Sequence, residues 1–174
     1  VADIVFHDYS PQVKQKIESL AVAWLHETAS AVESSAKRNT STEGWTNAER
    51  TSLRDSYSHN VDEASKTAQV GNTLEQAYWE EFGTGSHADT KKNGGRQGRQ
   101  DWWVYIPGQE PRNEESTHYR DETEAKAAAA YIKAEYGKTA YATNGREPNY
   151  TLEKAFTTVS PKAKRDLQNK LKGL

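Results

Sequence analysis

The sequence predicts an α+β protein: a long N-terminal helix packed on a small antiparallel sheet, with a β-α-β insertion and a C-terminal helix. Three observations lead to this class. After Ser10-Pro11 the apolar residues Val13, Ile17, Leu20 and Trp24 fall at spacings of four, three and four, the period of one helix face. Two short β-prone runs, Ser58 to Val61 and Lys66 to Gly71, flank the polar stretch Asp62-Glu63-Ala64-Ser65, which suits a hairpin. From Ser86 to Gly145 the composition changes before helical spacing returns. The expected division is therefore a core of residues 1–85 and 146–174, with residues 86–145 forming an inserted β-α-β subdomain that carries a flexible basic loop.

In chain order, Val1 to Tyr9 suits a short strand or an extended arm. Ser10-Pro11 is a helix start, Ser as N-cap and Pro at the first helical position, and the helix runs from about Pro11 to Arg38 with Thr28 and Val32 continuing its apolar row. Asn39 to Gly44 is a polar loop, and Asn47 to Tyr57 a short helical piece. The hairpin then leads into Leu74 to Gly85, LEQAYWEEFGTG, where Leu74, Tyr78 and Phe82 recur every four residues and stack on one helix face. Gly83 stands just past the helix end, where the backbone turns left-handed. Ser86 to Gln100 sets Lys91, Lys92, Arg96 and Arg99 among glycines. Asp101 to Ile106 is the strongest strand signal, ended by Pro107-Gly108. Gln109 to Glu124 is acidic. Asp121 with Glu124 forms a capping-box pair opening a helix through Ala127 to Tyr136, which Gly137 ends. Ala140 to Ala142 is a short strand, and Asn144-Gly145 a turn. Trp102, Val104 and Ile106, or their alternates, are expected to pack on Ala128, Tyr131 and Ile132. From Pro148 the chain is helical, with a restart at Ser160-Pro161 and a basic terminal segment.

Composition narrows the function classes. Hydrophobic residues make up 34% of the chain and mean hydropathy is −1.01, so the core is small. Nine Tyr and five Trp compensate, each burying large area while keeping a polar edge. That balance suits a protein completing its burial against partners. The absence of Cys excludes disulfides, thiolate metal sites and cysteine catalysis. Net charge is −2, so no global field points to nucleic acid or membrane. No apolar run approaches a membrane span and no signal-peptide pattern is present, so the expectation is a soluble protein working where it is made.

No catalytic constellation or cofactor motif emerges. The five histidines form no HxxxH, HxH or HExxH arrangement, and His26 reads as a surface residue. His87 and Asp89 read as a solvated loop pair. Neither a GxSxG elbow nor a phosphate-cradling glycine loop occurs. Glu80 and Glu81 are adjacent on a helix, so they point apart instead of forming an acid/base pair. The one nucleic-acid-like feature is the loop of Lys91, Lys92, Arg96 and Arg99 followed by Trp102-Trp103, where cations meet phosphates and aromatics offer stacking. A small nucleic-acid-binding module is the alternative reading it supports.

Ala77-Tyr78-Trp79-Glu80-Glu81-Phe82-Gly83-Thr84-Gly85 resembles the A-Y-x-x-E-F-G-T-G signature of tailed-bacteriophage tail-completion or neck proteins, typified by gene product ten of a lambdoid siphophage. Ser52-Leu53-Arg54-Asp55-Ser56 resembles that family's G-x-L-R-x-S segment, and Gln69-Val70-Gly71 its V-G strand end. Asn144 to Asn149, followed by Leu152 and Ala155-Phe156, is similar to its P-x-x-F-x-x-x-A-F lead-in to the C-terminal helix. These motifs occur in the family's order from Pro11 to Leu174. The resemblance implies a structural virion protein of the head-tail joint, assembled in the bacterial host cytoplasm and not an enzyme. It implies a homo-oligomeric ring between head-side connector or adaptor proteins and the tail terminator or tail tube, with genomic DNA passing non-specifically through the lumen. On that basis Tyr78, Trp79, Glu81, Phe82, Gly83, Thr84 and Gly85 are the expected subunit interface. The long helix also faces neighbours, the acidic Glu110 to Glu124 segment and the basic C-terminal helix supply complementary contacts, and Lys91, Lys92, Arg96 and Arg99 are candidates either for the DNA channel or for its periphery.

Overall fold

A computed structural model describes residues 8–43, 45–106 and 118–174. The expected arm at Val1 to Tyr9 and the acidic stretch from Gln109 fall mostly outside the described residues. Helix α1 spans Ser10–Asn39 and lies close to the expected bounds. Its N-cap is Tyr9 instead of Ser10, and the Ser10 N–H donates to Asp8 Oδ1 at 2.9 Å, so the preceding aspartate serves the helix end. Helix α2, Asn47–Asp55, starts at a Thr46/Glu49 capping box: Glu49 N donates to Thr46 Oγ1 at 3.2 Å, and Thr46 N to Glu49 Oε2 at 2.8 Å.

Strands β1 (Ser58–Asp62) and β2 (Thr67–Gly71) form the expected antiparallel hairpin, with His59 opposite Val70 and Val61 opposite Ala68. Helix α1 packs across it on one side and against the C-terminal helix α5, Thr151–Lys172, along most of its length. The core joins Val32, Ala36, Leu53, Tyr57, Ala77 and Ala155, with Trp45, Val70, Leu152 and Val159 closing its margins. Helix α5 runs through Pro161 without the expected restart. Proline there frees only the Thr157 carbonyl, and both residues are exposed, where solvent can serve that group.

Helix α3, Glu75–Phe82, ends at Gly83, whose φ of 73° lies in the region that favours glycine. The two-residue strand β3 (Thr84–Gly85) pairs with β6 (Gly145–Arg146), so the chain leaves and returns at one antiparallel stem. Between them, β4 (Trp103–Tyr105) pairs antiparallel with β5 (Tyr141–Thr143), and α4 (Glu122–Tyr136) packs over both. Asp121 caps α4 as expected, accepting from Thr123 N and Glu124 N, but the Glu124 carboxylate returns to Arg120 N. Ala125 and Ala129 are the buried positions of α4. Tyr131, expected to pack on the strands, is 60% exposed and instead meets Tyr136 edge-on. The buried row is rotated from the expected one because small alanines let the helix approach the strands closely.

Candidate functional site: the Glu80–Glu81 junction and its surroundings

Glu80 and Glu81 sit side by side near the end of α3, about 100° apart around the helix, and diverge as their spacing requires. The Glu80 side chain is fully buried. Its Oε1 accepts from Ser41 N (2.6 Å), Asn149 Nδ2 (2.7 Å) and Thr151 Oγ1 (3.2 Å), and its Oε2 from Trp45 Nε1 (3.0 Å). Arg146 Nη2 stands 2.6 Å from the same Oε2, with its guanidinium 4.6 Å over the Trp45 ring. Burial lowers the Arg146 pKa from its ordinary value, and the Glu80 carboxylate pulls the other way. A buried charge needs this degree of pairing and hydrogen bonding to be tolerated. Both oxygens are committed to intrachain donors, which suits a structural keystone and not proton transfer.

Glu81 serves the neighbouring helix. Tyr150 opens α5 in a left-handed conformation (φ 50°, ψ 46°) and offers no side-chain cap. The Glu81 carboxylate takes that place, accepting from Leu152 N at 2.7 Å and Glu153 N at 3.0 Å. Its negative charge also meets the positive end of the α5 dipole. Tyr150 N donates to Glu81 O (3.3 Å), and Tyr150 Oη to Asp89 Oδ2 (2.7 Å), which holds the unusual backbone in place. Accepting that bond lowers the Asp89 pKa and raises that of Tyr150.

The glycines after α3 have a steric reason. At Gly85 (φ 60°) a Cβ would lie 2.0 Å from the Asn144 carbonyl oxygen, and at Gly83 2.6 Å from that of Arg146. The chain returning from the insertion passes so close that only glycine fits. His87 and Asp89 differ from the expected solvated pair. His87 Nδ1 lies 2.6 Å from Glu147 Oε1, and its Nε2 3.1 Å from Asn144 Oδ1, so it ties the loop to the returning strand. Asp89 closes a turn by accepting from Lys91 N and Lys92 N.

Of the residues expected at a subunit interface, Glu81, Gly83 and Gly85 are buried inside the chain, whereas Tyr78, Trp79, Phe82 and Thr84 remain partly exposed. Tyr78 and Phe82 stack at 5.0 Å between centroids, and Tyr78 Oη donates to Asn93 O. A second surface lies at the start of α1, where every residue from Asp8 to Ser19 is exposed. Val13 and Ile17, expected to lie on a covered face, are 47% and 42% exposed. The reason is the face they occupy: Leu174, just past the end of α5, shares a shallow groove with Gln12, Gln15, Lys16, Ser19 and Leu20, whereas Val13 and Ile17 stand about 100° round the helix from Gln12 and Lys16, on a side left open.

The basic loop is drawn onto the body. Lys92 Nζ lies 2.5 Å from Glu153 Oε2 and 4.4 Å from the Tyr150 ring centroid. Arg96 lies over Tyr78 at 5.4 Å. Arg99 binds Asp101 at 2.7 Å and covers the Trp103 ring at 5.3 Å. Lys91 is exposed. Arg99 holds the Asp101 carboxyl down to about 2, with His118 hydrogen-bonded on its other side. Trp103 is therefore not a bare stacking platform. Among the described residues no group of His, Asp or Glu side chains is arranged to hold a metal ion, and no helix is long and apolar enough to cross a membrane.

The partners of Glu80 were not apparent from sequence, because Ser41, Trp45, Arg146 and Asn149 stand 35 to 69 residues away with no spacing rule to connect them. The Thr46/Glu49 box, by contrast, is written in the local pattern Thr-x-x-Glu. No family model, no curated protein and no solved structure matches the chain.

Proposed function

We propose that this is a structural virion protein of the bacteriophage neck, a tail-completion component. In this reading it forms a ring between the head-side connector or adaptor and the tail terminator or tail tube, with the genome passing through the lumen. The observation that carries the reading is the open face at the start of α1, where Val13 and Ile17 form an exposed apolar row four residues apart. Such a row suits head-to-tail packing on the next copy, the heterologous contact that closes a ring by rotation. The meeting of the separated signature segments supports it further. Leu53, Ala77 and Ala155 share one core cluster, and Glu80, Glu81, Arg146 and Asn149 share one polar junction. The signature stretch thus has an architectural role: Glu81, Gly83 and Gly85 act within the subunit, and Tyr78, Trp79, Phe82 and Thr84 are the side of it that a neighbour meets.

The test is electron microscopy of particles from a phage lacking this gene. The expected result is DNA-filled heads and finished tails that remain unjoined, restored by the wild-type gene and not by a Val13→Glu/Ile17→Glu double variant. Intact, infectious virions formed without the gene overturn the proposal.

A further inference from the structure

The outward face of α5 concentrates positive charge on a chain whose net charge is −2. Lys154, Lys162, Lys164, Arg165 and Lys172 are all exposed. At 100° per residue, Lys154, Arg165 and Lys172 fall within about 20° of one line, and Lys162 and Lys164 flank it at about 80° on either side. From Lys154 to Lys172 the row extends about 27 Å, at 1.5 Å per residue. Among the described residues none of the five cationic groups meets a carboxylate, and the one hydrogen bond among them runs from Lys154 Nζ to Asn149 Oδ1 at 3.1 Å. Of the two carboxylates of α5, Glu153 is taken by Lys92, which also sets the basic loop against the first turn of the helix, and Asp166 stands about 100° round from Arg165, off the central line.

We propose that this face of α5 is a docking track for the phosphate backbone of duplex DNA, bound without regard to sequence. The side chains between the cations decide the class of partner. They are Thr157, Thr158, Pro161, Gln168 and Asn169, all exposed and none a large apolar group. Protein interfaces are anchored by aromatic or aliphatic groups at a charge-depleted centre. The exposed aromatic of this helix, Phe156, stands about 200° around from Lys154 and cannot serve that role. A row of cations with no anchor suits phosphates, whose capture needs charge alone. A duplex carries one charge per about 1.7 Å of axis, so a track of this length always finds phosphates within reach. The basic loop is the weaker candidate, because Lys92, Arg96 and Arg99 already hold carboxylate or aromatic partners.

The experiment is fluorescence anisotropy of a labelled 30-base-pair duplex (about 100 Å of axis) titrated with the intact chain at increasing NaCl. With three to five phosphate contacts, log affinity falls against log salt with a slope of about −3 to −4.5. Replacing Lys154, Arg165 and Lys172 by Gln makes the slope shallower by about 2.7. These side chains are exposed, so the far-UV circular dichroism stays that of the wild type. Lys126→Gln and Lys133→Gln on α4, combined with Lys138→Gln just beyond it, remove the same charge and keep the wild-type slope. A flat slope for the wild-type chain overturns the proposal, as do equal losses in the two variants. So does poly-glutamate binding as tightly as the duplex, which assigns the face to an acidic protein. The inference rests on the neck reading for the source of the duplex, and the two fail separately. A flat slope removes the track whatever the particles look like, whereas normal virions without the gene remove the neck reading whatever the slope.

Discussion

Glu80→Gln changes one carboxylate oxygen to an amide nitrogen and removes a charge with almost no change in volume. In the native site Oε1 receives Ser41 N, Asn149 Nδ2 and Thr151 Oγ1, while Oε2 receives Trp45 Nε1 and Arg146 Nη2. Whichever way the amide turns, its NH2 faces at least two donors. The better orientation keeps oxygen at the Oε1 position, so the Trp45 indole and the Arg146 guanidinium lose their acceptor. Breaking a buried ion pair from one side costs about 3–5 kcal/mol. Arg146 retains 20% exposure, which places the expected loss at the lower end. A loss of about 3 kcal/mol lowers the melting temperature by about 6–12 °C in a chain of this size. Urea denaturation at fixed protein concentration, followed by tryptophan fluorescence and by circular dichroism, measures it. Adding Arg146→Met to Glu80→Gln recovers part of the loss, because the unpaired charge is then gone. Two results refute the reasoning: a cost for Glu80→Gln under about 1 kcal/mol, or an Arg146→Met cost that is the same in both backgrounds.

Glu81→Ala strips α5 of its external cap and is expected to cost about 2 kcal/mol, the upper range for a lost cap. Amide hydrogen exchange checks the location of the effect, since Leu152 and Glu153 should exchange faster while the hairpin amides keep their protection. Unchanged exchange at both sites excludes the cap role. The Asp101 carboxyl is held at about 2, against 3.8 for the free group, by Arg99 and then His118. A depressed acid contributes stability that is present above its unfolded value and lost as pH falls through the folded one. Stability is therefore expected to decline between pH 3.8 and about 2, and Asp101→Asn to flatten that part of the profile. Urea midpoints across this window give the answer, and parallel profiles for the two proteins refute it.

The parts of the fold that were legible in the sequence are those governed by near neighbours. Helix α1 follows from Ser10-Pro11 and a repeating apolar row, the β1–β2 hairpin from its polar turn, and the end of α3 from Gly83. The misreadings have a common cause in tertiary context. Pro161 stops a helix only where its freed carbonyl has no solvent. Tyr131 follows an apolar pattern, yet Ala125 and Ala129 occupy the narrow space against the strands. Val13 and Ile17 repeat as core residues do, but Leu174 lies against the neighbouring face of α1, at Gln12, Lys16 and Leu20, and leaves theirs open. The junction was half legible. Divergence of Glu80 and Glu81 follows from helix geometry, whereas their partners are brought together only by closure of the β3–β6 stem.

That closure explains why the most informative stretch of the chain is polar where it is buried. The buried apolar residues are mostly alanines, and among the largest fully buried side chains Tyr57 and Leu53 stand beside Glu80 and Thr151. A thin alanine core permits many sliding arrangements of α1, α3 and α5, since small side chains interlock weakly. A carboxylate that must satisfy five donors from two distant stretches of chain, 41–45 and 146–151, permits one. Glu80 therefore fixes where the chain returns after the insertion, and Glu81 fixes where α5 begins relative to α3.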